Sequence, residues 1–302
     1  MKKRDFLRLS DLTLAEHHRL LTRAHGLKAG RKRKQVERTL EGRTLVLIFE
    51  KASTRTRLSF EAAMGQLGGQ AITLPFDGSQ MARGEPLEDT ARVVSGYADA
   101  IMMRTFADAR LQQFARAATV PVINGLTDGA HPVQLLADLM TVQERLGSLE
   151  GRQVAFVGDG ATNMALSWME AARLFGFTLR LAAPEGYRPP QEEVQACGSR
   201  LLLTGSPEEA VAGAEVVVTD VWTSMGQEAE TAKRKAAFAG YCVDEALMAR
   251  AHRLAIVLHC LPAHRGEEIS AGVLDGPQSA AWDEAENRMH AQKALLELLL
   301  LG

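Results

Sequence analysis

The residues best suited to chemistry begin with Ser53-Thr54-Arg55-Thr56-Arg57. They follow a short apolar run, Leu45-Val46-Leu47-Ile48-Phe49, and precede Phe60, Met64 and Leu67 at helical spacing. Hydroxyls and guanidinium groups are therefore packed into a strand-to-helix turn, with Ser53 as the natural N-cap. A helix start offers unpaired N–H groups and the positive end of the helix dipole, and arginine adds forked donors that match phosphate oxygens. The stretch has no glycine, so it is not a P-loop but a phosphate site built from side chains as well as backbone. A capped, solvated helix start would use the same residue types, and the rest of the chain has to decide between the two.

Three further groups bear on that choice. Ile101-Met102-Met103 reads as a strand that delivers Arg104 at its carboxyl end, and His131-Pro132-Val133-Gln134 reads as a helix start placing His131 and Gln134 on one turn. The loop from Phe76 to Glu85, with Gln80 at its middle, is long enough to be functional. Downstream, Asp220 stands at the end of the strand Val216-Val217-Val218-Thr219 and leads into Ser224-Met225-Gly226, a carboxylate placed to meet a cationic group. The last strand delivers His259-Cys260-Leu261-Pro262. No second Cys/His pair lies at structural-zinc spacing, so no metal is expected there. Gly158-Asp159-Gly160 invites a dinucleotide reading, but Asn163 replaces the third glycine and no acidic residue ends the next strand, so no cofactor is expected.

To position these groups the chain alternates strands and helices, the pattern of an α/β protein with parallel sheets whose ligands bind outside the carboxyl ends of the strands. Residues 5 to 41 read as helical, with Ser10 or Asp11 as a cap. Pro132 starts a helix running to Leu146, and the break at Gly147-Ser148-Leu149-Glu150-Gly151 marks a domain boundary. A second alternation follows, its last strand over Leu254 to Leu258, and Glu284 to Leu301 form an amphipathic C-terminal helix.

The bulk numbers exclude several classes. The chain of 302 residues fits two domains. Its net charge of −2 and 5% aromatic content give no footprint for nucleic acid or an anionic membrane, and Arg31-Lys32-Arg33-Lys34 reads as a solvated helix face. The three cysteines, Cys197, Cys242 and Cys260, suit a reducing compartment. No apolar run is long enough to span a bilayer and no signal-peptide pattern is present, so a cytoplasmic protein is expected.

Taken together, Ser-Thr-Arg-Thr-Arg followed by Ser-Phe-Glu, then His-Pro-x-Gln, Asp-Val-Trp-x-Ser-Met-Gly and His-Cys-Leu-Pro resemble the aspartate/ornithine transcarbamoylase family, in family order over nearly the whole chain. The last two motifs resemble its ornithine branch. The resemblance implies carbamoyl transfer from carbamoyl phosphate to L-ornithine, giving citrulline in arginine biosynthesis. Aspartate, N-acetylornithine or putrescine stand as alternative acceptors, and a nicotinamide-dependent dehydrogenase or a non-catalytic phosphate-binding subunit as other classes. It implies a carbamoyl phosphate domain over 1–131, a linker helix over 132–147, an ornithine domain over 148–283, and a C-terminal helix, about 284–302, returning to the first. It implies a homotrimer, or a multimer of trimers, in which Gln80 reaches a neighbour's carbamoyl phosphate. By position, Ser53, Thr54, Arg55 and Thr56 would hold the phosphate, and Arg104 would bridge phosphate and carbamoyl group. His131, Thr56 and Arg288 would address the carbonyl oxygen, and Gln134 the amide. Asn163, Asp220, Ser224 and Met225 would bind ornithine, and Cys260 and the Leu261 carbonyl would border the reacting amine. One departure is visible: Gly160-Ala161-Thr162-Asn163 keeps only the second residue of the family's Asn-Asn pair.

Overall fold

The computed structural model describes residues 3–223 and 228–302, so Ser224 and Met225 lie outside the described residues. The chain divides into two compact units, Met1–Met140 with Glu286–Gly302, and Thr141–Ala285. Each carries its own parallel sheet flanked by helices, as the alternation of elements predicts.

The first unit opens with helix α1 (Leu14–Lys32). Its cap is Thr13, which accepts from Glu16 N while Glu16 Oε2 accepts from Thr13 N at 2.8 Å. Ser10 and Asp11, the expected caps, sit instead in a 3₁₀ turn, where the Asp11 carboxylate accepts from Leu7 N and Arg8 N. The helical reading to residue 41 also fails. Lys34 takes φ +58°, and the bonds Lys34 N to Arg31 O and Gln35 N to Gly30 O close the helix end.

Strand β1 (Thr44–Phe49), buried at all six positions, leads into α2 (Thr54–Gln66). Then come β2 (Gln70–Pro75), α3 (Leu87–Ser95), β3 (Ala100–Arg104), α4 (Asp108–Ala117) and β4 (Val122–Leu126). The sheet order is β2-β1-β3-β4, so the winding reverses between β1 and β3. Ile48, Ile101, Met103 and Phe114, all essentially unexposed, centre this unit's core, each worth roughly 1.5–3 kcal/mol of burial. Helix α5 (Pro132–Leu146) is the helix expected to join the domains, and the division between the units falls inside it, between Met140 and Thr141.

The second unit holds β5 (Gln153–Val157), α6 (Asn163–Phe175), β6 (Thr178–Ala182), α7 (Gln191–Cys197), β7 (Leu201–Thr204), α8 (Pro207–Val211), β8 (Val216–Thr219), α9 (Thr231–Ala237), α10 (Glu245–Met248), β9 (Ile256–His259) and α11 (Ala271–Leu274). Its sheet order is β7-β6-β5-β8-β9, with the reversal between β5 and β8. Strand β9 starts later than the expected Leu254, because Ala255 N turns back to His252 O, and it takes in His259, which pairs with Thr219. The last helix, α12 (Ala281–Leu301), begins three residues before the expected Glu284, and its residues from Glu286 onward belong to the first unit. Among the described residues no helix is long and apolar enough to cross a membrane.

Candidate active site

In the first unit the predicted residues gather where the sheet order reverses, at the carboxyl ends of β1 and β3, the place such sheets reserve for ligands. Ser53 caps α2, its side chain accepting from Thr56 N at 3.2 Å. Thr56 is buried, and its hydroxyl is the meeting point of two guanidinium groups. Arg288 Nη2 donates to it at 2.6 Å, and Arg104 Nη1, from the end of β3, approaches at 3.5 Å. Arg288 Nη1 also donates to Gln134 Oε1, and Gln134 Nε2 donates to Asp138 Oδ1 at 2.8 Å. His131 lies at the start of α5, its carbonyl accepting from Gln134 N and Leu135 N. Burial pushes the His131 imidazole well below the ordinary histidine range, and the nearby charges of Arg288, Arg104 and Arg55 push it further. At neutral pH His131 is therefore uncharged, an N–H donor that adds no positive charge to the three arginines around it.

The two arginines of the opening motif part company. Arg55 is half-buried and acts on His131, whereas Arg57 is exposed and paired with Glu61 one turn on, Nε to Oε1 2.9 Å. Thr54 is exposed at the first helical position. Gln80 is exposed in the loop between β2 and α3, and its side chain makes no hydrogen bond to any of these residues.

In the second unit the reversal between β5 and β8 gathers Asn163, in the first turn of α6, and Asp220, directly after β8. Cys260 Sγ donates to Asp220 Oδ1 at 3.1 Å, and Val221 N donates to the same oxygen at 2.8 Å. Burial raises the Asp220 carboxyl above the usual range, while His259, Cys260 and Val221 N pull it back. Leu261, with φ +57°, holds a left-handed backbone that a branched side chain rarely adopts, an outlier of the kind found at functional sites. Its N–H donates to His259 Nδ1 at 2.9 Å, so His259 Nε2 carries the proton and donates to Glu268 Oε1 at 3.1 Å.

A family profile described as the carbamoyl-P binding domain of aspartate/ornithine carbamoyltransferase matches residues 4–144, and one described as the Asp/Orn binding domain matches residues 150–299. The chain belongs to the aspartate/ornithine carbamoyltransferase family. A relative named ornithine carbamoyltransferase, from Sorangium cellulosum, is 55% identical across 100% of this chain and 99% of its own. Among solved structures, ornithine carbamoyltransferase from Burkholderia thailandensis superposes with a TM-score of 0.92 at 48% identity, over 99% of each chain. The Pyrococcus furiosus ornithine carbamoyltransferase gives a TM-score of 0.94 at 46% identity, over 99% of this chain and 97% of its own.

Within this carbamoyltransferase several supporting residues were not visible from motifs. Glu50 accepts from Arg110 through both oxygens and from Thr105 Oγ1, and its N–H donates to Arg104 O, which locks the end of β3. Asp159 pairs with Arg234 at 2.6 Å, both nearly buried, and Arg234 Nη1 also donates to Trp222 O at 2.9 Å. The four-residue steps from Gln134 to Asp138 and from Glu230 to Arg234 are the spacings at which helical neighbours meet, and they were the only sequence clues. Gly160, the second glycine of Gly158-Asp159-Gly160, has a packing role. A Cβ at Gly160 would stand 2.8 Å from Pro189 and 2.9 Å from Leu181, so that glycine serves close contact with its own chain.

Asp220, His259 and Cys260 bring one ligand atom each within 4.8 Å of one another. Both ring nitrogens of His259 are committed, to Leu261 N–H and to Glu268, which leaves a carboxylate and a thiol as the available donors.

Proposed function

We propose that this chain transfers the carbamoyl group of carbamoyl phosphate to the δ-amine of L-ornithine, giving L-citrulline and phosphate. The observation that carries the reading is the start of α2, where Arg104 and Arg288 converge on the buried Thr56 hydroxyl beside an uncharged, buried His131. The names of its full-length relatives support ornithine as the acceptor.

In this reading the α2 N-terminus, with Ser53, Thr54, Arg55 and Thr56, holds the phosphate. Arg104 bridges phosphate and carbonyl, and His131, Thr56 and Arg288 donate to the carbonyl oxygen as it gains charge. Gln134, its carbonyl held by Arg288 and its amide by Asp138, addresses the carbamoyl nitrogen. Asn163 takes the ornithine carboxylate. The Asp220 carboxyl, held high by burial, gains an ionic partner when the α-ammonium arrives. Cys260 and the Leu261 carbonyl border the δ-amine, and Ser224 and Met225 complete the ornithine contacts. The neutral amine attacks the carbamoyl carbon and the carbonyl oxygen takes up charge; the carbonyl then re-forms as the C–O bond to phosphate breaks, and the amine's proton passes to the departing phosphate. Rate comes from orientation and electrostatics, with no covalent intermediate and no chemistry that calls for a cofactor. The same reading places the enzyme in the cytoplasm as a homotrimer, with Gln80 serving a neighbouring subunit.

An end-point assay with carbamoyl phosphate and ornithine, N-acetylornithine, putrescine or aspartate, scored for ureido product, tests it. Citrulline from ornithine is expected, and its absence refutes the assignment. An alkyl amine titrates near ~10.4, so kcat/KM for ornithine is expected to rise from neutral to alkaline pH.

A further inference from the structure

A cavity of about 370 Å³ opens in the first unit at the other end of α2, beside Gly65-Gln66-Leu67-Gly68. That volume is in the range of small-molecule sites. Leu27, Val36 and Leu67 supply apolar lining, and Arg31, Lys34, Arg38 and Lys293 supply positive charge. The one carboxylate in the lining, Glu37, is engaged by Arg23 at 2.6 Å. Arg31 and Lys34 belong to the basic run that plays no part in the carbamoyl phosphate site.

We infer that this cavity is a second anion site, built for a phosphate monoester with a small apolar body. Arg38 is paired with Glu41 at 3.3 Å, so the excess of positive charge rests on Arg31, Lys34 and Lys293. Cations in the last turn of α1 favour its dipole, but that explains neither a cavity nor a lysine 4% exposed on another helix. Lys293, on α12, donates to Gln66 Oε1, and Gln66 Nε2 and Arg31 Nη1 both reach Met289 Sδ, at 3.2 and 3.3 Å. Burial and then the charge of Arg31 push the Lys293 ammonium down to about 8, against the pull of Glu297 and Glu37. Both of those carboxylates are held by Arg23, so they are only partly available to offset Arg31. An incoming dianion relieves the repulsion between Lys293 and Arg31 directly. Lys34 takes a left-handed backbone at the position where helix ends favour glycine, and the side chain it keeps there is an ammonium lining the cavity. The Arg31 guanidinium fork suits phosphate oxygens, and the leucine and valine lining suits an apolar substituent.

The test is titration calorimetry of phenyl phosphate against the full chain carrying Arg55→Ala, which weakens the first phosphate site. One phenyl phosphate per chain is expected, bound at least about tenfold more weakly after Lys293→Met or, separately, Arg31→Ala, the loss of one charge-assisted contact. Arg31→Ala alters the rim, so it reports even if Lys293→Met fails to fold. At pH 8, binding is expected to take up about half a proton, seen as a dependence of the measured heat on the buffer, because the anion raises Lys293 from near its own midpoint. Lys293→Arg is expected to keep the binding and lose the uptake, an outcome that a purely structural lysine does not give. No binding to the Arg55→Ala chain, or binding unmoved by both Lys293→Met and Arg31→Ala, overturns the inference.

Discussion

Replacing Arg288 with methionine tests the centre of the proposed mechanism. Arg288 is 3% exposed, and its two terminal nitrogens go to Thr56 Oγ1 and Gln134 Oε1. Methionine keeps much of the volume and removes both bonds. Hydrogen bonds from a charged donor contribute about 1.5–3 kcal/mol each, but relief of the buried charge offsets part of that. A net destabilisation of about 1–3 kcal/mol follows, or a few degrees in Tm. The catalytic cost is larger if Arg288 donates to the developing oxyanion. Loss of one such donor costs about 10²–10³ in kcat. The change also removes the foremost of the charges that lower His131. His131 should then titrate higher, though still below its ordinary value because burial is the larger cause. The acid limb of kcat/KM for carbamoyl phosphate should therefore move to higher pH. Steady-state citrulline formation across pH, with circular dichroism as a check on folding, reads all three. A folded Arg288→Met variant with kcat within about threefold of the parent and an unmoved acid limb refutes the argument.

Asp220→Asn should abolish ornithine binding yet raise Tm. A carboxyl whose folded value lies above its unfolded one loses stability as pH rises from the unfolded value through the folded one, and asparagine removes that loss; an unchanged or lower Tm contradicts it. Arg55→Ala should weaken carbamoyl phosphate by roughly 10- to 100-fold while Arg57→Ala, which breaks only an exposed pair, leaves its KM within about twofold; equal effects would dissolve the distinction between them. Arg234→Met should cost about 3–5 kcal/mol by stranding the buried Asp159 charge, and the double variant with Asp159→Asn should cost less than the sum of the two, as measured by denaturant unfolding.

The local features of the site were legible in the sequence because short-range chemistry sets them. An apolar run ending in Ser53 and a helical spacing after it fix a strand, a cap and an anion-binding helix start. Arg104 followed from its place after Ile101-Met102-Met103. The C-terminal boundary of α1 was misread because its stop signal is a lysine in a conformation that usually advertises itself as glycine. Partners distant in sequence were invisible to spacing. Arg288 is 232 residues from Thr56, and Arg234 is 75 from Asp159, and no periodicity links either pair. Arg288 entered through family resemblance alone, and Arg234 did not enter at all.

The first unit is written in two pieces, with residues 141–285 between them. That order matters during synthesis. The ribosome completes the whole second unit before it makes Arg288, so the continuous unit can fold while the phosphate-binding unit still lacks the α12 partner of Thr56. A nascent chain therefore holds Arg104 and Thr56 early but gains Arg288 only after the second unit has been made. The guanidinium pair on Thr56 is thus completed by a residue made after the second unit.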